Sequence, residues 1–470
     1  MGIEVTGVSR RSVLAATLAA APAFSAGRVL AEAPAARPFT SAEVALVRRT
    51  LADAPSHGIA LSDVGGGAPE GDADLRRAIL AYARAQHGGR IPEDKFEKNW
   101  GLRPAFYNAP KELAFALAQH RLDAWIASLP PPFESYRMLR DGMAVYRRLG
   151  RAHGWAPIPQ GPDLAIGSTG PRVVLLRDRL AFEDVGVARA SRRAPFDEPL
   201  AAAVRRVQAR HGLAVTGVVS GRTLFALNTQ PAERLRTMRA NMERWRWAPR
   251  QWPADRVEVN IAAATFDLLD DNRRALSFLA AAGRPDDETP ILRSTITDIV
   301  LNPEWNIPDS IAAKEMFPKE HKDPGYFERE GIAVRPWGGG KKLYQKPGPK
   351  NALGQIKFNF DNPYAVYLHD TPARTAFDHA SRSVSHGCVR LEKPRELAVR
   401  LLAPNGDEPA DRIDAQIASA ETVKIDLKQP EPVFLLYWTA FPEGDQLAFR
   451  DDVYGWDAAV LRLLDAGAKS

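Results

Sequence analysis

The sequence predicts a multidomain α+β protein with an N-terminal helical scaffold, a small three-helix unit and a mainly antiparallel β-sandwich domain. The chain has 470 residues, which is too long for one ordinary core. Apolar residues recur at helical spacing up to about residue 250 and alternate with a period of two after about residue 255. Charged residues make up 26% and hydrophobic residues 45%, so the composition is that of folded domains.

Residues 1–33 have the pattern of a cleaved export signal. Arg10 and Arg11 precede a short alanine-rich apolar stretch, Val13–Phe24, that is too short to span a bilayer. The small residues of Ala31–Ala33 fit a cleavage site. The paired arginines resemble a twin-arginine signal, and a general secretory signal is the alternative. We therefore expect a mature periplasmic protein with no transmembrane segment.

The charge and cysteine content exclude several classes of protein. The net charge of +6 suits an anionic polymer, but no basic stripe with interleaved aromatic residues is present, so no nucleic-acid partner is expected. The chain has one cysteine, Cys388, and therefore no internal disulfide framework. A lone thiol in an exported protein is either a reactive group or a small buried hydrophobe.

Four helices are predicted in the first part of the chain after a short linker over 34–39. They run from Thr40 or Ser41 to Asp53, from Asp72 or Asp74 to Gly88, over 111–127 and over 133–150. A further helix is predicted over 234–247. Together these helices form the predicted scaffold, residues 40–160 plus 229–250.

Residues 161–228 are predicted to form a separate unit. One helix follows Gly170, a second begins at Asp197, and a Gly212-Leu213 stop and a turn lead into a third through Leu224 and Leu227. The unit has too few residues for a large core and is expected to be a small three-helix bundle.

Alternating apolar residues predict a β domain over 255–440. The predicted strands are 257–261, 266–269, 294–300, 356–360, 365–368, 422–427 and 432–437. The segment 302–346, rich in proline, glycine and aromatic residues, is too long for a hairpin loop and is predicted to be an inserted cap. Residues 441–470 are predicted to be a C-terminal helical segment.

Two short motifs carry the chemistry of the β domain, Tyr367–Pro372 and Ser385–Leu391. A thiol attacks a carbonyl only as the thiolate, so it needs a nearby imidazole or cation. The oxyanion that forms needs backbone N–H donors. Gly387, directly before Cys388, allows a close and strained turn. A Gly-Cys turn with a histidine nearby meets these requirements.

The two motifs resemble the active-site signature of the L,D-transpeptidase (YkuD-domain) family. The resemblance implies that Cys388 is the nucleophile and His369 its general base, with the backbone carbonyl of Asp370 orienting the imidazole ring. The N–H groups of Gly387 and Cys388 would form the oxyanion hole. His386 would shape the pocket, although one base suffices for the chemistry and this histidine could be structural.

The resemblance also implies substrate contacts for Ser385, Arg390, Tyr367 and Trp305. A structural ion pair is the alternative for Arg390, and a side-chain role in a triad is the alternative for Asp370. A zinc site is the alternative for His369, His386 and Cys388 together, but no metal and no cofactor are expected.

The likeness extends to most of the mature chain. Residues 161–228 resemble a small peptidoglycan-binding domain, with Thr216 where that family often carries aspartate, and an inert helical spacer is the alternative. Segments 241–249, 302–308 and 347–354 resemble the large subclass, which combines a helical scaffold, a peptidoglycan-binding module and a capped catalytic domain.

The resemblance implies formation of 3→3 peptidoglycan cross-links through a cysteine thioester, with tetrapeptide stems as donor and acceptor and with carbapenems as inhibitors. Such an enzyme would serve cell-wall biogenesis and cell shape. Release of the thioester to water would instead make an L,D-carboxypeptidase or endopeptidase. Transfer to a lysine would anchor an outer-membrane protein to the wall. A non-catalytic wall-binding scaffold is the remote alternative.

Overall fold

The computed structural model describes residues 37–65, 70–151, 155–182, 187, 193–338, 340–406 and 408–467. The predicted export signal, 1–33, lies outside the described residues. Within those described ranges, no helix combines the length and the apolar character that crossing a bilayer requires.

Five helices precede the small unit. They are α1 (Ser41–Ala52), α2 (Asp72–Gly88), α3 (Ala109–Ala118), α4 (Leu122–Ser128) and α5 (Glu134–Arg151). Thr40 begins α1 with a capping box that includes Glu43. The single helix predicted over 111–127 is wrong, because His120 has a left-handed backbone (φ 53°) that ends α3 and starts a turn before α4.

The helices do not share one core. Buried residues of α1 to α4 form a separate cluster around Ile59, Ile79 and Leu117. Buried residues of α5, among them Tyr136 and Leu139, belong to the large cluster that continues into the β-sheet. Helix α5 therefore packs against the β domain and also contacts the helical region through Tyr136 and His57.

The small unit contains α6 (Pro171–Ala181), α7 (Glu198–Arg210) and α8 (Gly221–Asn228) around its own core. Buried Gln208 accepts the N–H groups of Thr216 and Gly217 and donates to the Val218 carbonyl, which fixes the turn before α8. Ile158, placed by the prediction in the scaffold, packs in this core instead.

Helix α9 (Pro231–Trp247) carries a buried ion pair that connects it to the helical region. Arg246 donates to Glu243 Oε2 at 2.9 Å, to the His57 carbonyl oxygen at 2.5 Å and to the Tyr136 hydroxyl at 3.0 Å. Glu243 Oε1 also accepts the Arg90 N–H at 2.5 Å. Both partners of the pair are almost fully buried, with side chains 1% and 0% exposed.

A second buried network connects α9 to the C-terminal end of the chain. Arg244 donates to Asp457 Oδ1 at 2.6 Å, and Thr439 donates to Asp457 Oδ2 at 2.7 Å. Asn241 donates to Thr439 Oγ1 at 2.6 Å and accepts the Thr439 N–H at 3.0 Å. One helix therefore binds to the helical region through one set of charges and to the β domain through another.

The β domain is built on one continuous sheet. Its strands are β1 (Arg256–Asn260), β2 (Thr265–Asp270), β3 (Arg273–Gly283), β4 (Leu292–Leu301), β8 (Ile356–Phe360), β9 (Leu368–His369), β10 (Ser383–Ser385), β11 (Val389–Leu391) and β12 (Val423–Leu436), while β5 to β7 lie in the cap described below. The order is β10-β3-β11-β9-β8-β4-β12-β1-β2, and β2 also pairs with β3, so the sheet closes on itself.

The predicted α+β class and the mainly antiparallel pairing are confirmed, but the strands form one closed sheet rather than two facing sheets. Three pairs are parallel, β1 with β12, β9 with β11 and β10 with β3. The strand predicted over 365–368 is reduced to Leu368–His369, and those over 422–427 and 432–437 are one strand with an irregular register. The sequence interpretation missed β3.

The segment between β4 and β8 forms a cap with its own small core and sheet. Strands β5 (Trp305–Asn306), β6 (Ile332–Trp337) and β7 (Gly340–Gln345) pair in the order β5-β7-β6. Its helical segments are Asp309–Ile311, a π-helical turn over Ala312–Met316, Phe317–Lys322 and Tyr326–Arg329.

Two buried asparagines close the base of the cap. Asn351 donates to the Pro303 carbonyl at 3.0 Å, which joins the two ends of the insertion. Asn302 donates to the Gln416 carbonyl at 2.9 Å, which fastens the first end to the body of the domain.

Helices α10 (Pro394–Leu402) and α11 (Pro409–Ser419) lie between β11 and β12. The prediction of a helical segment over 441–470 is wrong in its first part. There β13 (Ala440–Glu443) and β14 (Gln446–Phe449) form a hairpin through Gly444, which has a left-handed backbone (φ 64°). Helix α12 (Trp456–Gly467) follows it.

We predict that Arg246→Met destabilises the fold by about 3–5 kcal/mol, because it leaves the Glu243 carboxylate buried without its cation. The free energy of unfolding from urea denaturation tests this. Arg236→Met is the matched control on the same helix, since the Arg236 side chain is 58% exposed and its ion-pair distance is 3.9 Å. Equal losses of stability in the two variants would contradict the prediction.

We predict that the fold loses stability as the pH falls from 7.5 to 5, because buried histidines are held neutral. Burial, together with Arg246 and Arg140, lowers the pKa of His57 to about 3. An unfolded histidine titrates near 6.5, so the stabilisation is complete above about pH 6.5 and is lost as the pH falls toward 3.

Urea denaturation at the two pH values measures this loss. It should be smaller in His57→Gln than in the unsubstituted protein and unchanged in His379→Gln, where the histidine is exposed. A loss in His57→Gln as large as in the unsubstituted protein would refute the assignment to His57.

Candidate active site

A cleft of about 660 Å³ lies between the sheet and the cap. Cys388, His369, Tyr367 and Arg390 line it from the sheet side, and Trp305 lines it from the cap. The structure therefore brings together the residues that the two motifs singled out. Cys388 is only partly buried, so its thiol faces a space that a substrate can enter.

The turn that carries Cys388 requires glycine at its centre. Gly387 has φ 106°, in the region that disfavours residues with a side chain. Thr289 donates to the Gly387 carbonyl at 2.7 Å and accepts the Gly283 N–H at 2.8 Å. The Arg284 N–H donates to the Ser385 carbonyl at 2.9 Å. The turn is thus fastened to the end of β3, a contact that the motif did not indicate.

Two predicted roles in this turn do not match the geometry. The Gly387 N–H donates to Ser385 Oγ at 3.2 Å, so it does not point freely into the cleft as an oxyanion donor. The Ser385 hydroxyl donates to the Cys388 carbonyl at 2.5 Å, and Ser385 is 2% exposed. Ser385 therefore stabilises the turn, because its hydroxyl donates one hydrogen bond and accepts another within it. The Cys388 N–H is the remaining predicted oxyanion donor.

His369 is oriented by a main-chain carbonyl, as the prediction requires. Its Nδ1 lies 2.5 Å from the Asp370 carbonyl oxygen. A carbonyl can only accept, so Nδ1 carries the proton and Nε2 keeps its lone pair. The Asp370 carboxylate instead accepts the Gln355 N–H at 2.9 Å. The side-chain alternative for Asp370 thus lacks a contact with the ring in this structure.

Burial favours the uncharged forms of both the thiol and the imidazole. Burial, with Arg390 next in importance, lowers the pKa of His369 to about 3. Burial raises the pKa of Cys388, opposed by hydrogen bonds from Tyr367 and by the charges of Lys357 and Arg390. A neutral imidazole can accept a proton at neutral pH, so this pair suits a base that acts during the attack.

Tyr367 lines the cleft together with Cys388 and with Trp305 of the cap. Burial, together with Cys388, raises the pKa of its hydroxyl well above the ordinary value. Its ring meets that of His369 edge-on, with centroids 5.6 Å apart. Tyr367 thus contacts the imidazole ring on the cleft wall, and Trp305 lines the same cleft from the cap.

His386 binds the cap rather than the thiol. Its Nε2 lies 2.6 Å from Glu315 Oε1, and Glu315 also pairs with Arg284 at 3.3 Å. Glu315 lies in the π-helical turn, a type of distortion that is frequent at functional sites. Burial opposes the change, but the hydrogen bond to His386 is chief among the contacts that lower the pKa of Glu315. The contact between Glu315 and His386 therefore joins the cap to the turn that carries Cys388, because His386 lies two residues before Cys388.

Arg390 and Lys357 place two cations near the reacting groups. Both lie directly opposite His369 in the strand pairing, Arg390 on β11 and Lys357 on β8. Arg390 Nε is buried and has no hydrogen-bond partner within the described ranges, and no ion pair of Arg390 is found there, which leaves the structural alternative for this residue without a contact. The sequence interpretation missed Lys357, Glu315 and Thr289. Only Lys357 had a local signal, as a polar residue in an alternating strand.

The geometry does not favour zinc. The His369 Nδ1 is hydrogen-bonded to the Asp370 carbonyl, and the His386 Nε2 is hydrogen-bonded to the Glu315 carboxylate. Across the part of the chain that the structure describes, no three His, Cys, Asp or Glu side chains are grouped as metal ligands.

The structure thus places a cysteine and a histidine oriented by a main-chain carbonyl in one capped cleft on a closed sheet. Residues 254–421 match the family model described as "L,D-transpeptidase catalytic domain". This region of the chain is therefore similar to the L,D-transpeptidase catalytic-domain family. Residues 42–143 match a "Scaffold domain" and residues 169–227 a "Putative peptidoglycan binding domain".

A curated relative from Haemophilus influenzae, named "Putative L,D-transpeptidase", is 31% identical over 220 residues. The match spans 43% of this chain and 45% of the relative, so the chain spans about half the length of that protein. An L,D-transpeptidase from Mycobacterium smegmatis is similar at 17% identity with a TM-score of 0.21, over 39% of this chain and 58% of that one. An L,D-transpeptidase from Xylanimonas cellulosilytica is similar at 17% identity with a TM-score of 0.19, over 59% of this chain and 99% of that one.

We predict that Glu315→Gln loosens the cap and speeds the reaction of Cys388 with a bulky maleimide severalfold, because the charged contact with His386 and Arg284 is removed. Mass spectrometry of the labelled protein over time measures the rate. Glu328→Gln is the control, since Glu328 is an exposed carboxylate of the same cap. A rate for Glu315→Gln no faster than that of the control would argue against the cap contact.

Proposed function

We propose that this chain is an exported L,D-transpeptidase that forms 3→3 cross-links between peptidoglycan stems through a thioester on Cys388. One observation carries the proposal, namely the His369 ring held by the Asp370 carbonyl in a cleft that also exposes Cys388. The match of residues 254–421 and the name of the curated relative support it.

In the first step, the Cys388 thiol gives its proton to His369 Nε2 as the sulfur attacks the carbonyl carbon of the third stem residue. The Cys388 N–H is available to donate to the oxyanion. Collapse breaks the amide bond, and D-alanine leaves as an amine that takes the proton from the imidazolium. A thioester on Cys388 remains.

In the second step, a diaminopimelate side-chain amine of another stem attacks the thioester carbonyl. His369 takes a proton from the attacking nitrogen and returns it to the departing thiolate. The new amide is the 3→3 cross-link, and Cys388 and His369 regain their starting states. The cap favours this outcome over hydrolysis to the extent that it excludes water.

The charges lining the cleft fit a zwitterionic peptide stem. Arg390, Lys342 and Lys350 line it as cations, while Glu330 and Asp287 line it as anions. Such a mixture can bind both the carboxylates and the ammonium groups of diaminopimelate-containing stems. The match of residues 169–227 supports peptidoglycan as the partner, and the predicted signal at 1–33 supports the periplasm as the location.

We predict that the protein gains one covalent adduct on exposure to a carbapenem and converts disaccharide tetrapeptides to 3→3 dimers, and that Cys388→Ala abolishes both. Intact-mass spectrometry and muropeptide chromatography measure the two results. His379→Gln, an exposed histidine near the same turn, should retain both activities.

The products separate the alternatives. Tripeptides alone would indicate an L,D-carboxypeptidase, and transfer only to an added protein lysine would indicate an anchoring enzyme. Neither an adduct nor a product at any substrate concentration would overturn the proposal.

A further inference from the structure

Three polar side chains form a row across the sheet beside Cys388. Lys357 on β8 and Arg390 on β11 both pair directly with His369 on β9, in between. Directly paired residues project from the same face of a sheet. Their neighbours Phe358, Leu368 and Val389 form the opposite, core face. The imidazole therefore lies between two cations.

Lys357 lies against the tyrosine that lines the cleft with Cys388. Its Nζ is 4.1 Å from the centre of the Tyr367 ring. Tyr367 and Cys388 line the same cleft, and the Val389 N–H, next to Cys388 in the chain, donates to the Tyr367 carbonyl at 3.1 Å. The aromatic ring thus contacts the ammonium group and lies on the same cleft wall as the sulfur.

No carboxylate is paired with Lys357. Within the described part of the chain it forms no ion pair within 4.0 Å. The nearby Asp298 is instead bonded to Asn359 at 2.6 Å and paired with Lys424 at 3.7 Å. A half-buried lysine without a carboxylate partner is costly, and β-branched residues suit a strand better. A purely structural role does not account for lysine at this position.

We propose that Lys357 is a positioning residue that acts through Tyr367 to stabilise the negative charge on Cys388. The inference rests on the proposed thiol chemistry and adds a residue to it. A cation on the ring face draws electron density from the phenol and makes its O–H a stronger donor to the sulfur. The thiol proton goes to His369, the sulfur keeps the electron pair, and Lys357 and Tyr367 keep their protons.

Within the described residues, charged and titratable groups near the sulfur lie on β8, β9 and β11, and His386 lies in the turn before Cys388. Lys357 faces the sulfur from β8, and Arg390 faces it from β11. Tyr367 faces it from the loop before β9, and His369 faces it from β9 itself. Asp298 on β4 faces Lys357 from the other side. Burial lowers the pKa of Lys357, and the nearby Cys388 and then Asp298 oppose this change.

The rate of iodoacetamide alkylation against pH tests the proposal in the full chain, where Cys388 is the one cysteine. Lys357→Met should move the midpoint to higher pH and slow alkylation at pH 7 by roughly tenfold, with the high-pH plateau unchanged. Lys357→Arg should keep most of the rate. Lys424→Met is the matched control, since Lys424 pairs with the same Asp298 but is 59% exposed, and its profile should not change.

Combining Lys357→Met with Tyr367→Phe separates action through the ring from direct action. If Tyr367 transmits the effect, the double variant should alkylate no more slowly at pH 7 than Tyr367→Phe alone. A Lys357→Met profile that superimposes on that of the unsubstituted protein, or that changes only in its plateau, overturns the proposal. Alkylation needs no peptidoglycan, so a shifted profile without cross-linking would refute the proposed function alone.

Discussion

The buried charges of helix α9 are the interaction on which the rest of the structure depends. Glu243 and Arg246 bind the helical region, while Arg244 binds Asp457 near the C-terminus. A buried ion pair adds little net stability, but the loss of one partner is expensive, so such pairs favour one arrangement over others. The closed sheet and the helices α1 to α4 have separate cores, and α9 fixes their relation through directional contacts.

Sequence patterns predicted the elements whose signals are local. Thr40 begins α1 and Asp197 begins α7 with their side-chain caps, and β8 alternates as expected. Strand β3 was missed because Ala280–Ala282 are helix-favouring residues that lie in a strand only through pairing with distant segments. The closure of the sheet could not be predicted either, since it depends on register between strands far apart in sequence.

The residues of the candidate site also divide into those with a local sequence signal and those that depend on contacts between distant segments. The two motifs indicated Cys388 and His369 because their chemistry requires particular residue types close together. The strand register that aligns Lys357 with His369, and the cap turn that brings Glu315 to His386, exist only in the folded chain. Ser385 was assigned to the substrate because a motif reports residue identity but not which partner a hydroxyl finds.

The closed base of the cap determines how far the insertion can vary in length without disturbing the sheet. Asn351 holds the two ends of the insertion together. The distance between the end of β4 and the start of β8 is therefore short, however long the insertion between them is. Lengthening a loop whose ends are already held adds little entropy cost, growing only with the logarithm of its length. The cap can therefore be enlarged, trimmed or exchanged while the sheet beneath it keeps its register.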